Sequence, residues 1–224
     1  MNNPEALEHC NSALALESDL KANNLYDQVF LMFCQVIRLK SEILFEQMSQ
    51  ETLDLQSDLV DRVRNKLSSE KNEAKAKILY DNLALDLYMR AKILTSLNRL
   101  SDALLDIDEA ISLDPNAARY KILKADIHFR RSDFEEADEQ AEQIMAMTKD
   151  VQIQDESTKI FAKVRAAKHE YEDAISYIDE IVYPDASMYV LSAECKSNLH
   201  RFEEVVEDCR KAESMDPTLI FSVV

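Results

Sequence analysis

Apolar and polar positions along this chain recur with helical spacing. From Ala84 to Ala117 the apolar residues Leu87, Ala91 and Leu94 fall three or four apart. A polar break follows at Asn98 and Arg99, and a second run continues through Leu100, Ala103, Ile107 and Ala110. The pattern predicts two antiparallel helices closed at Asp114-Pro115, because proline disfavours helical geometry in the residue before it and supplies no amide donor. The unit then repeats. Ala91, Ala125, Ala162 and Ala193 are followed nine residues later by Leu100, Phe134, Tyr171 and Phe202, and twelve residues later by Ala103, Ala137, Ala174 and Val205. Ala110, Ile144, Ile181 and Ala212 come seven further on. Two helices approach closely only where side chains are small, so each alanine pair marks a crossing, and the Leu or aromatic after the turn fills the wedge beside it. One such unit cannot bury both its faces. Stacked copies can, which predicts an all-α solenoid of helix-turn-helix repeats with a concave side suited to an extended ligand.

The steps between copies are 34, 37 and 31 residues. With the paired helices, the small contact residues and the terminal Asp114-Pro115 and Asp216-Pro217, they resemble the tetratricopeptide repeat family over about residues 84–219. The resemblance implies a right-handed superhelical α-solenoid of four repeats, at 84–117, 118–154, 155–185 and 186–219. An N-terminal helical region precedes them at 1–83, and a short apolar tail follows at 220–224. Departures are visible: alanine stands where the family usually has glycine in every first helix, and His128, Arg165 and Lys196 occupy a place where a large apolar or aromatic residue is usual.

Before the repeats, Asn3-Pro4-Glu5 reads as a helix start, and Leu7, Cys10, Ala13, Leu14 and Leu20 give one apolar face to about Ala22, where Asn23-Asn24 breaks it. Residues 25 to about 50 form the most hydrophobic stretch. Val29, Phe30, Phe33, Val36, Ile37, Leu44 and Phe45 lie at helical spacing, with Leu31, Met32 and Leu39 on further faces, which suits burial between neighbours or docking against a partner. Leu55, Leu59, Val63 and Leu67 recur every four residues, and Ser68-Ser69 are placed to cap a helix from about Glu70. Residues 53–80 read either as a degenerate repeat or as a long helix running into the first clear repeat. Between Ile144 and Ser157 the connection is three residues longer than standard, which reads as a kink or a loop.

Glycine is absent from the 224 residues, so phosphate-cradling GxGxxG and GxxxxGK loops are excluded and turns fall to Asn, Asp, Ser and His. A formal charge of -17 opposes broad binding to nucleic acid or to an anionic membrane. Cys10, Cys34, Cys195 and Cys209 form no CxxC pair and have no histidine at zinc-ligand spacing; a Cys195–Cys209 disulfide is conceivable on the facing helices of the last repeat, and buried free thiols are the plainer reading. With no signal-peptide pattern and no run of about 18 apolar residues, a cytoplasmic or nuclear protein is expected. The scattered histidines and adjacent acid pairs assemble no catalytic or metal constellation, so neither an enzyme nor a cofactor is expected.

Charge is divided between the helices of each repeat. The four first helices, 84–97, 118–131, 155–168 and 186–199, carry a net +7, and the rest of 84–224 carries -19. In the family the first helices line the concave side, so the resemblance implies a comparatively basic groove in an acidic shell, and nominates Tyr88, Lys92, Arg119, Ile122, Phe129, Arg130, Lys159 and Lys163. Such a strip suits an acidic, extended segment of another protein, the cations engaging carboxylates and Ile122 and Phe129 offering apolar pockets. Equally, these cations can pair with acids of neighbouring helices. The family's clamp for a chaperone's terminal carboxylate is not reproduced: Tyr88 and Lys92 stand in the first repeat, and Glu156 and Ile160 in the third. Arg119 to Asp126, RYKILKAD, is similar to repeats of chaperone-associated members, but no His-Pro-Asp tripeptide is present. The expected role is a protein-binding adaptor or co-chaperone-like module. The alternative is a scaffold subunit held through the apolar helix at 25–50 and an open C-terminal end that also offers self-association.

Overall fold

The computed structural model describes residues 4–23, 25–44 and 49–217, and all regular structure among them is α-helical. Phe45 of the apolar stretch, the tail at 220–224 and the expected C-terminal contact surface beyond Pro217 lie outside the described residues. The chain divides into two compact units, Met1–Asn116 and Ala117–Val224.

The first unit runs α1 (Pro4–Ala15), α2 (Glu17–Ala22), α3 (Tyr26–Leu44), α4 (Gln50–Ser69), α5 (Glu73–Ser96) and α6 (Leu100–Leu113). The single N-terminal helix expected from the apolar face is split at Leu16, whose amide bonds the Ala13 carbonyl three residues back. α3 packs on α4, α4 on α5 and α5 on α6. The broad apolar surface of α3 is divided: Phe30, Phe33, Cys34, Ile37 and Leu44 are buried against its neighbours, while Leu31, Met32 and Leu39 are exposed. Ser68 and Ser69 do not cap α5. Their hydroxyls donate to the Asn65 and Lys66 carbonyls at the end of α4, and the cap is Asn72, which accepts from the Lys75 amide at 3.0 Å. α5 is one uninterrupted helix that starts eleven residues before the first clear repeat. It packs along α4, which draws the first repeat into the same compact unit.

Arg38 of α3 holds this unit together from the inside. Its guanidinium donates to both carboxylate oxygens of the fully buried Asp86 on α5, at 2.7 and 2.9 Å, and to Asn82. Gln56 of α4, also fully buried, donates to the Asp86 carbonyl at 3.0 Å. Arg62 reaches Glu17 and Tyr26, and Arg64 reaches Glu109.

The second unit runs α7 (Ala118–Arg130), α8 (Phe134–Met147), α9 (Val151–Ala167), α10 (Tyr171–Glu180), α11 (Ala186–Asn198) and α12 (Phe202–Met215). Each helix packs on its successor, and the first helices also meet one another, α7 on α9 and α9 on α11. Ala125, Ala137 and Ala141 lie at the crossing, against Ile160, Phe161 and Val164. Ala162 packs with Ile178, Ile181 and Met188, and Ala174 with Ile175 and Cys195. The long connection after Ile144 leaves only residues 148–150 outside a helix. Asp150 caps α9, accepting from the Gln152 and Ile153 amides, so the added residues become an early turn of that helix.

Asn98, Ser132, His169 and His200 all have φ between 58° and 65° and lie in the turns that join α5 to α6, α7 to α8, α9 to α10 and α11 to α12. At each, the following amide bonds back five residues, as Arg99 to the Leu94 carbonyl at 2.8 Å and Glu170 to the Arg165 carbonyl at 2.9 Å. This is the left-handed helix ending that glycine normally provides. Here four non-glycine residues carry its steric cost.

Candidate functional site

The first helices of the second unit build a recess. Phe129 of α7, Lys163, Ala166 and Ala167 of α9, and Leu191 and Asn198 of α11 line a cavity of about 330 Å³, with His169 and Tyr171 of the turn between α9 and α10 beside it. The recess follows from the alanines: Ala166 and Ala167 leave room where larger residues would fill it. Phe129 packs on Phe134 with ring centroids 6.1 Å apart, and the His169 Nδ1 lies 2.7 Å from the Tyr171 hydroxyl. Glu194 and the buried Cys195 complete the lining, and burial pushes the Cys195 thiol up to about 11.

Among the nominated residues, Phe129 and Lys163 come together in this recess. Ile122 is half-buried on α7, and Arg119 extends from the start of α7 with its guanidinium 5.1 Å from the Tyr120 ring centroid. Tyr88 and Lys92 belong to the first unit, where the Lys92 ammonium sits 5.7 Å from the Tyr88 ring centroid. Arg130 and Lys159 each hold carboxylates of this chain at hydrogen-bond distance. Arg130 bonds Asp126 at 2.7 Å. Lys159 bonds Glu156 at 2.7 Å and Asp185 at 2.6 Å. Burial works to lower the Lys159 pKa, but Asp185 and Glu156 outweigh it and the ammonium is held above its ordinary value. Lys163 is the looser cation, 3.7 Å from Asp126.

The cations at the family's usual apolar place are explained by acids opposite them. Arg165 lies 3.1 Å from Asp138 of α8, and Lys196 lies 2.6 Å from the buried Asp208 of α12. His128 meets Asp133 at 3.4 Å. At Arg165 and Lys196 a charge pair stands where the family has an apolar plug.

Leu191, Asn198 and Ala167 were not nominated from the sequence. The signal was present, since α11 is the next first helix in the same register, but the charge-based search passed over a helix with a single basic residue, Lys196.

Residues 87–117 match the tetratricopeptide repeat family. This segment is a tetratricopeptide repeat, and the fold around it is the helical solenoid of such repeats. No curated protein matches it. Among solved structures, this chain is similar to BtubC (BKLC) from P. vanneervenii, with a TM-score of 0.66 and 10% identity over 95% of this chain and 92% of that one. A tetratricopeptide repeat protein from Parabacteroides merdae ATCC 43184 gives 0.54 and 20% identity over 95% and 94% of the two chains. MamA residues 41 to the end, from Desulfovibrio magneticus RS-1, gives 0.54 and 12% over 83% and 96%. At these identities the likeness is one of fold. Among the described residues, no helix is long and apolar enough to cross a membrane.

Proposed function

We propose that this protein is an adaptor whose second unit holds an extended segment of another protein. The repeats make it a protein-interaction module, and the observation that carries the finer reading is the recess lined by three successive first helices. Its apolar part, Phe129 and Leu191, accepts a side chain of the ligand. Lys163 at its edge engages a carboxylate, because its contact with Asp126 is long enough for a closer acid to replace it. Arg130 and Lys159 set the local charge through their intrachain pairs rather than by direct grasp, which leaves Lys163 as the nominated cation at the recess itself.

Affinity capture from lysate by the parent chain, by Lys163→Glu and by Ala167→Arg tests the reading. Ala167 is exposed, so arginine fills the recess without entering the core. Expected is a partner held by the parent and weakened at least about tenfold by either variant. An identical captured set for all three chains, each with its helical spectrum intact, removes the recess as the site.

A further inference from the structure

The early start of α5 creates a second recess, in the first unit. Residues Glu73 to Leu83 form three turns that precede the repeat, and they wall a cavity of about 560 Å³ against the start of α3 and the end of α4. Phe30 forms its floor and is buried. Met32, Ile78 and Leu31 at its sides are 65%, 46% and 38% exposed, a concentration of apolar surface that a solvated helix does not require.

Its rim is basic in a chain of net charge -17. The Lys66 ammonium lies 5.8 Å from the Phe30 ring centroid, and Lys75 is exposed with no carboxylate partner among the described residues. A neighbouring hollow of about 390 Å³ shares Phe30 and Lys66 and adds Lys21 and Arg62, whose charges are taken up by Glu17 and Asp58. Glu70 is the carboxylate in the lining of the larger cavity, and one of its oxygens already accepts from the Asn72 amide at 2.8 Å.

We propose that this recess docks a segment of a partner protein that places a large aliphatic or aromatic side chain next to an aspartate or glutamate. The cavity holds the apolar group against Phe30, Met32 and Ile78, and Lys66 and Lys75 receive the carboxylate. Charge complementarity selects this occupant. An anionic membrane surface would meet the same lysines but also the acidic remainder of the chain. The recess is independent of the one in the second unit, and the two are separable by variant.

Random twelve-residue peptides displayed on phage are panned on the full chain with counter-selection on Met32→Glu, and the enriched peptide is synthesised and titrated. Expected is a sequence pairing Leu, Ile or Phe with Asp or Glu, whose affinity falls about tenfold with Lys75→Glu and is unchanged with Lys163→Glu. Met32→Gln, a milder change at an exposed position, keeps the test valid should the glutamate disturb α3. The proposal is overturned if no peptide survives counter-selection, or if the enriched peptides lack acids and bind Lys75→Glu as tightly as the parent. It is equally overturned if sedimentation shows a dimer of this chain that Met32→Glu dissociates, or if phosphatidylserine vesicles bind the chain through Lys75.

Discussion

The two units solve the same packing problem with different chemistry. In the second, alanines at each crossing let helices close on one another, and the polar contacts tie a helix to its neighbours in the stack: Ser192 and Lys196 meet Asp208 sixteen and twelve residues on, and Lys159 meets Asp185 twenty-six on. In the first, polar contacts span the unit. Arg38 reaches Asp86 across 48 residues, Arg62 reaches Glu17 across 45, and Gln56 reaches Asp86 across 30. A repeating small residue sets the spacing of helices wherever the repeat continues. Where the repeat gives out, arginine forks fix which helix lies against which, and their bidentate geometry tolerates few substitutes.

The largest expected effect breaks the first solution. Asp86→Ala leaves the Arg38 guanidinium, 12% exposed, without its carboxylate. Removing one member of a buried pair costs about 3–5 kcal/mol. Urea denaturation should show that loss, and the double variant Arg38→Met with Asp86→Leu should recover most of it, because a buried ion pair gains little over well-packed apolar residues. If the single substitution costs under about 1 kcal/mol, the arginine fork does not organise the first unit.

This difference also governs what the sequence made legible. The repeat positions from Ala91 to Ala212 were readable because one residue type recurs at one spacing, and Ala91, Ala103, Ala125, Ala137, Ala162 and Ala174 are all fully buried. α4 was harder to read. Its four-residue leucine stripe suggested a face, yet Thr52 and Gln56 share the core while Leu55 and Leu67 are half-buried, and no periodicity rule forecasts a buried glutamine. In the candidate site, Phe129 and Lys163 were legible as first-helix residues facing the same way. The pair between Arg130 and Asp126 was open to a reader of i, i+4 spacing. The pair between Lys159 and Asp185 was not, since it depends on how the shortened α10 returns the chain. Asp155 fixes that return by accepting from the Val182 and Tyr183 amides at 3.1 and 2.8 Å.

A smaller effect separates the units at their turns. Ser132 sits at φ 65° and is exposed, so Ser132→Gly removes a left-handed strain of about 1–2 kcal/mol and adds back about 0.5–1 of unfolded-chain entropy. The net gain, about 0.5–1 kcal/mol, should raise the thermal midpoint measurably. Asn98→Gly in the first unit, at φ 58°, should gain less, because asparagine tolerates this region better than serine. Equal gains at the two positions would mean that local strain does not depend on the residue type found there.

The smallest expected effect concerns pH and marks the difference between lysine and arginine pairs. Burial pushes the Asp185 carboxyl up, but Lys159, Ser187 and the Met188 amide outweigh it and hold it below the usual carboxylate range. A depressed carboxylate contributes stability that is present above its unfolded pKa, about 3.9, and that disappears as pH falls through the lower folded value. Lys159 is raised, so its contribution is complete below about 10.4 and fades as pH rises through the folded value. The difference in thermal midpoint between the parent and Lys159→Met should therefore shrink at both ends, below about pH 4 and above about pH 10. The Arg38 pair in the first unit has no such alkaline limb, because guanidinium stays protonated. A parent–variant difference that stays constant from pH 7 down to pH 3, about the span over which an ordinary carboxylate titrates, would show that the pair is screened by solvent. The closing loop of the second unit would then rest on Asp155 and on the Asp185 cap of α11.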